Sequence, residues 1–256
     1  MNQQAYDRPA QSSRDMLDVE IWRGGAEGHY EKFKVPRDEN QTVLDVVTYV
    51  QRHLAPALAY RFACRVGMCG SCAMTVNGRP RWTCRTHVAR VIEGGRMRIA
   101  PLRNLPVIRD LVTDMSTFFD KWQAARGRFV GTEGVDAGVG HEPARVRPAS
   151  PERREADAAI ECINCAVCYA ACDVVSWRED YLGPAALNRA WAAWNDVRDD
   201  DRTGVLRAVA VAGGCLNCHT HQSCTEHCPV ALSPTHSIAG LKRASMQAWL
   251  RGELKS

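Results

Sequence analysis

Twelve cysteines fall into three tight groups, Cys64/Cys69/Cys72/Cys84, Cys162/Cys165/Cys168/Cys172 and Cys215/Cys218/Cys224/Cys228. The first reads Cys64-x4-Cys69-x2-Cys72-x11-Cys84, the plant-type spacing for a [2Fe–2S] centre. Gly67 and Gly70 lie inside it, where positive φ lets the backbone curl and aim amide N–H groups at sulfur. The second, Cys162-x2-Cys165-x2-Cys168-x3-Cys172, is the bacterial ferredoxin run, whose fourth thiolate reaches a different cluster from the first three. It therefore requires a partner group. Cys218-x5-Cys224-x3-Cys228-Pro229 has the right end spacing and puts His221 where a ferredoxin has its middle cysteine. The chemistry these residues suit is electron transfer.

A ligand count gives Cys64, Cys69, Cys72 and Cys84 to the first centre, and Cys162, Cys165, Cys168 and Cys228 to a [4Fe–4S]. Cys172, Cys218 and Cys224 remain for a [3Fe–4S], which uses eleven of the twelve cysteines. Cys215 or His221 is available as an extra ligand that would turn the third centre into a second [4Fe–4S]. The competing reading makes Cys215 a small buried residue and His221 a turn residue over an open vertex. A disulfide framework belongs to short secreted chains, and structural zinc calls for two separated pairs rather than a run at spacings 2, 2 and 3.

Four stretches carry a family resemblance: Cys64-Arg-Val-Gly-Met-Cys-Gly-Ser-Cys72, Pro101-Leu-Arg-Asn-Leu-Pro-Val-Ile-Arg-Asp-Leu-Val112, Cys162-Ile-Asn-Cys-Ala-Val-Cys168 and Cys224-Thr-Glu-His-Cys-Pro229. With Leu182-Gly-Pro-Ala-Ala-Leu187, they make residues 17 to 250 resemble the iron–sulfur subunit of succinate dehydrogenase and fumarate reductase. The resemblance implies three clusters in series between a flavoprotein subunit, where FAD handles the dicarboxylate, and a quinone at a membrane anchor with or without haem b. It also implies that Trp177 and His219 line the quinone pocket. An indole N–H can donate to a quinone oxygen and an imidazole can pass protons near neutral pH. Departures gather at the third centre. Asp173 replaces the family's usual Pro, Val174 a common Ser, and Val230-Ala231 the usual Lys-Gly. A carboxylate at Asp173 is expected to lower that centre's potential, so Asp173→Pro should raise it.

These ligands need two modest domains to hold them, and the length of 256 residues with 45% hydrophobic content is sufficient. The fold class expected is α+β: a plant-type [2Fe–2S] ferredoxin (β-grasp) domain over 16–122, a linker over 123–152, and an all-helical bacterial-ferredoxin-type domain over 153–256. Residues 1–15 read as a disordered tail. Alternation over Leu17–Trp22 and Tyr30–Val35 predicts paired strands. Thr42 is placed to cap a helix through Val43, Val46, Val47 and Val50, with Pro56 past its end. Ala73–Val76 and Arg81–Thr83 form a hairpin about Asn77-Gly78. An amphipathic helix is expected over Ile108–Trp122, and further helices over Ala156–Ile160, Pro184–Trp194 and Ser237–Leu250. Trp191 and Trp194 share a helix face and read as core or subunit interface. The glycine-rich 134–140 stretch lacks a flanking strand and helix, so it is no dinucleotide fingerprint. His29, His53 and His87 follow no catalytic spacing.

Lys and Arg number 33 against 29 Asp and Glu, a net charge of +4 that gives no case for a nucleic-acid partner. Arg61, Arg65, Arg79, Arg81 and Arg85 form a candidate flavoprotein-facing patch. No apolar run approaches the ~20 residues a membrane span needs, so any attachment must come from the anchor, at the cytoplasmic side of the inner membrane. The alternative function is a carrier subunit for a related soluble flavoprotein with no quinone site. A third, a zinc-stabilised interaction module, predicts a colourless protein.

Overall fold

The computed structural model describes residues 16–131 and 146–254; the tail at 1–15 and the glycine-rich 134–140 stretch lie outside the described residues. Strands β1 (Met16–Arg23) and β2 (His29–Pro36) form an antiparallel hairpin in which Leu17, Val19 and Ile21 point inward and are almost fully buried. Helix α1 (Val43–Tyr49) starts with a reciprocal cap: the Thr42 side chain accepts from the Asp45 amide and the Asp45 carboxylate accepts from the Thr42 amide. The helix continues through a wider, π-type turn over Val50–Leu54. β3 (Ala73–Val76) and β4 (Arg79–Trp82) meet at Asn77 and Gly78, both at positive φ (48° and 78°), as a tight primed turn demands. β5 (Arg96–Ala100) completes a sheet of order β2-β1-β5-β3-β4, with β1 and β5 parallel at its centre. Val43, Val46, Val47 and Val50 pack against the sheet's inner face beside Leu17, Met74, Met97 and Ile99, giving the β-grasp architecture.

One expected element differs. Residues 108–122 are not one helix but a small hairpin, β6 (Val107–Arg109) and β7 (Val112–Thr113), followed by helix α2 (Ser116–Ala124). Asp110 decides this. It sits at φ 51°, and its buried carboxylate accepts from the Gly24 amide at 2.7 Å and the Ala59 amide at 2.8 Å, with Arg23 alongside at 3.5 Å. Those distant partners hold a turn where the local apolar period favours a helix.

The second half is helical: α3 (Pro151–Ile160), α4 (Val167–Ala170), α5 (Asp173–Trp177), α6 (Pro184–Asn195), α7 (Arg202–Val209), α8 (Ser223–Glu226) and α9 (Pro234–Leu250). Proline at the first turn of α3, α6 and α9 exploits an amide that has no intrahelical partner. α6 is the central helix, packed on α3, α7 and α9 and buried on almost every side. Its Trp191 and Trp194 stack at 5.1 Å, with Trp191 in the core. Gly240 of α9 permits this, because a Cβ there would lie 2.4 Å from the Trp191 ring. After α2 the chain is already tied to this helical domain: Arg189 donates to Gly127 O at 2.7 Å and the Asp200 amide to Val130 O at 2.9 Å. Among the described residues no helix is long and apolar enough to cross a membrane.

Candidate iron–sulfur centres

In the first cysteine loop, Arg65, Gly67 and Gly70 all stand at positive φ (60°, 78° and 70°), and the curl they make turns amides toward sulfur. Met68 and Cys69 donate their N–H groups to Cys64 Sγ at 3.2 and 3.4 Å, and Cys84 donates to Cys72 Sγ at 3.5 Å. The Ser71 hydroxyl and then the Cys64 amide draw the Cys69 thiol down to about 6. Cys84, enclosed with Cys72, Leu44 and Trp82, is instead pushed up to about 12 by burial. A run of such donors favours an anionic sulfur cluster over free thiols. Gly67 is required because a Cβ would meet the Trp82 ring at 2.9 Å. Gly70 is required because a Cβ would meet Cys165 Cβ at 2.6 Å, so this loop touches the second cysteine group backbone to side chain.

In the helical domain Cys162, Cys165, Cys168 and Cys228 line one small, apolar cavity with Ala185 and Leu232. The partition inferred from spacing therefore corresponds to a gathering in space, although Cys228 lies sixty residues beyond Cys168. Burial pushes the Cys165 thiol up to about 12 and Cys168 well above its usual range, while the Asn164 and Val167 amides act in the opposite sense on Cys162 and Cys165. Such thiols become thiolates only when bound metal replaces their protons. All twelve cysteines are free. The converging thiols and their cavity fit a polynuclear cluster.

The two runs share one backbone plan. Asn164 and Ala166, at φ 53° and 59°, precede α4; Thr220 and Gln222, at 60° and 63°, precede α8. The residue between the first pair is Cys165, and between the second it is His221. His221 thus holds the middle-ligand position in backbone geometry as well as in spacing, yet it is exposed. Its ring packs edge-on against Trp177 at 6.2 Å and stacks on His219 at 6.0 Å. Proton loss from the Tyr181 hydroxyl is disfavoured first by burial and then by the charges of Cys218, Cys172 and Cys224. Cys224 Sγ lies 3.3 Å from Thr235 Oγ1, and the Thr220 amide donates to Cys218 Sγ at 3.4 Å. Cys215 is fully buried with its Sγ 3.9 Å from Ser245 Oγ.

Some residues singled out from sequence have other company. Asp173 is no isolated charge: Arg103 stands 3.7 Å away and offsets it. Of the arginine patch, Arg79 reaches across to Glu226 of the helical domain, Arg81 buries its Nε, and Arg61 donates to Thr113 O at 3.0 Å. Arg65, over the Phe62 ring, and Arg85 remain at the first loop. Tyr181 and Ser71 drew no attention in the sequence; the signals available were a tyrosine leading into Gly183-Pro184 and a hydroxyl between two ligand cysteines.

Fold and site together define a two-domain ferredoxin protein that gathers thiols from both halves of the chain. Residues 18–120 match the 2Fe-2S iron-sulfur cluster binding domain and residues 158–232 the 4Fe-4S dicluster domain. A fumarate reductase iron-sulfur subunit of Mycobacterium tuberculosis is 36% identical over 234 residues, covering 90% of this chain and 92% of that one. A mitochondrial succinate dehydrogenase [ubiquinone] iron-sulfur subunit of Dictyostelium discoideum is 32% identical, covering 80% and 72%. A chain of the Mycobacterium smegmatis Sdh1 complex in the apo form superposes with a TM-score of 0.78 at 28% identity, covering 91% of this chain and 96% of that one. The chain belongs to the family of fumarate reductase and succinate dehydrogenase iron–sulfur subunits, the electron-transfer subunits of those oxidoreductases.

Proposed function

We propose that this subunit connects an FAD-bearing flavoprotein, where succinate is oxidised or fumarate reduced, to a quinone at a membrane anchor. Cys64, Cys69, Cys72 and Cys84 would hold a [2Fe–2S]; Cys162, Cys165, Cys168 and Cys228 a [4Fe–4S]; Cys172, Cys218 and Cys224 a [3Fe–4S]. When bound, these clusters supply one-electron transfer, and the protein's part is to hold, space and shield them. The close approach of Gly70 to Cys165 brings the first two ligand sets against each other. The dicarboxylate chemistry is assigned to the flavoprotein.

What carries the three-iron reading is His221, which occupies the missing ligand's backbone position while its ring turns out to Trp177 and His219. Cys215, engaged with Ser245, makes no fourth thiolate. Trp177 is 66% exposed, an unusual state for an indole, and with the two imidazoles it forms an outward-facing aromatic group beside Cys218. An indole and imidazoles suit hydrogen bonding and proton delivery to a quinone. At the opposite loop, exposed Val66 and Met68 beside Arg65 suit docking of the flavoprotein. The seat proposed is the cytoplasmic face of the inner membrane, held by the anchor.

The test is low-temperature electron paramagnetic resonance of the anaerobic complex, oxidised and then reduced. An oxidised-state signal with new signals on reduction supports three centres including a [3Fe–4S]; oxidised silence means a fourth ligand completes the third. Trp177→Leu should abolish quinone reduction by membranes while sparing reduction of an artificial acceptor. Full activity in the soluble fraction would favour the quinone-free carrier.

A further inference from the structure

The Pro101–Val112 stretch binds no metal and lies outside both cysteine groups, yet it reaches the helical domain. Leu102 and Leu105 are 5% and 7% exposed and sit in the core of that domain rather than of the sheet. Between them Asn104 stands at φ 63°, a conformation that Asn, Asp and Gly adopt more readily than other residues. Its Nδ2 donates toward Tyr169 O at 3.0 Å and Cys172 O at 3.1 Å, with Ala170 O at 3.5 Å. Arg103 adds a longer bond to Ala170 O at 3.4 Å. These are carbonyls at the end of the short helix α4, where intrahelical donors run out, together with that of the cysteine that follows; of them Tyr169 O also accepts from the Cys172 amide at 3.3 Å.

We propose that Asn104 is a positioning residue for the third centre: a carboxamide inserted from the ferredoxin domain caps α4 and fixes the backbone of Cys172. The inference rests on the three-centre reading above. One amide holds both the end of the helix bearing Cys168 and the carbonyl of Cys172, so the spacing of the second and third ligand sets depends on it. Cys172 stands directly before α5, so a drift of its backbone also moves the start of that helix. Outer partners of this kind commonly change metal retention by ~10–100-fold.

Asn104→Gly keeps the left-handed backbone and deletes the donor; Asn104→Asp keeps shape and backbone but points a carboxylate at three carbonyl oxygens. In the assembled complex, the decay of the oxidised third-centre resonance is followed during incubation with an iron chelator, against the reduced [2Fe–2S] resonance of the same sample. Both variants should lose the third-centre signal at least about tenfold faster than wild type, Asp more than Gly, with the first centre unchanged. Should the Asp variant not assemble, the Gly variant decides. Equal third-centre lifetimes, or an equal acceleration at every centre, would overturn the proposal. A wild-type complex without the oxidised signal would defeat the three-iron reading itself, and the inference with it, before any substitution is made.

Discussion

The two metal-binding regions bend their backbones in different ways. The first loop uses glycine where space is tightest, at Gly67 and Gly70, against the Trp82 ring and Cys165. Beside those glycines only Arg65 of the first loop is non-glycine at positive φ, whereas the helical domain holds Asn164, Ala166, Thr220, Gln222 and Ala231 there. A left-handed non-glycine residue costs ~1–2 kcal/mol, and such strain persists only where its surroundings dictate it. The cores differ to match. The sheet domain's main core contains no cysteine, whereas Cys168, Cys215 and Cys224 are part of the helical domain's core, with Cys172 and Cys218 packed on it. One region builds its main core without cysteine; the other packs into its core the cysteines proposed as cluster ligands.

The severest test of that contrast is to remove the iron. Anaerobic chelation should abolish most far-UV helical signal from the second domain and leave the sheet, because the coupled loss of metal and folding exceeds a typical domain stability of ~5–15 kcal/mol. Retained helicity would end the distinction. Within the surviving sheet domain, Cys69 should be alkylated at pH 7 about a hundredfold faster than Cys84. Its thiol is drawn down to about 6 while Cys84 is pushed up to about 12, and the greater thiolate fraction outweighs the weaker nucleophile. Because the Cys69 value is lowered, its thiolate is present above pH 6 and protonates below it, so the advantage should fade as pH drops through that point. Mass spectrometry of the labelled peptides measures both.

Smaller effects probe the backbone. Asp110→Ala removes a buried carboxylate and strands the Gly24 and Ala59 amides, while Arg23 keeps Glu31, an expected loss of ~2–4 kcal/mol in denaturant unfolding of the sheet domain. Gly70→Ala adds left-handed strain to a Cβ 2.6 Å from Cys165, and should cost ~2–4 kcal/mol and weaken the contact between domains. Ala231→Gly runs the other way. It relieves strain at φ 57° and, after the added flexibility of the unfolded chain, should stabilise the iron-loaded helical domain by ~0.5–1 kcal/mol. Destabilisation there would show that the domain does not carry its turns as strain.

Much of the architecture was legible from short-range signals. Alternation announced β1 and β2, Asn77-Gly78 their companion hairpin, Thr42 the start of α1, and the Ala/Leu/Trp period the central helix α6. The helix expected over 108–122 failed because its apolar spacing competes with hydrogen bonds from Gly24 and Ala59, more than fifty residues back in the chain. The arginines near the first loop read as one patch because sequence proximity hides direction; Arg79 and Arg81 lie on β4, which packs on α4 of the other domain.

By itself the sequence determined three cysteine groups, among them the [2Fe–2S] and [4Fe–4S] spacings, and the pairing of a ferredoxin-type sheet domain with a helical one. Cysteine spacing is local covalent geometry, and a run at spacings 2, 2 and 3 offers its thiols to few metal assemblies. Only the tertiary structure decided that Gly70 abuts Cys165, that Asn104 caps the segment bearing Cys172, that Cys215 turns to Ser245, and that His221 faces outward with Trp177 and His219. Each is a contact between segments that the chain separates and packing reunites, and no local propensity encodes which of two neighbouring side chains will face inward.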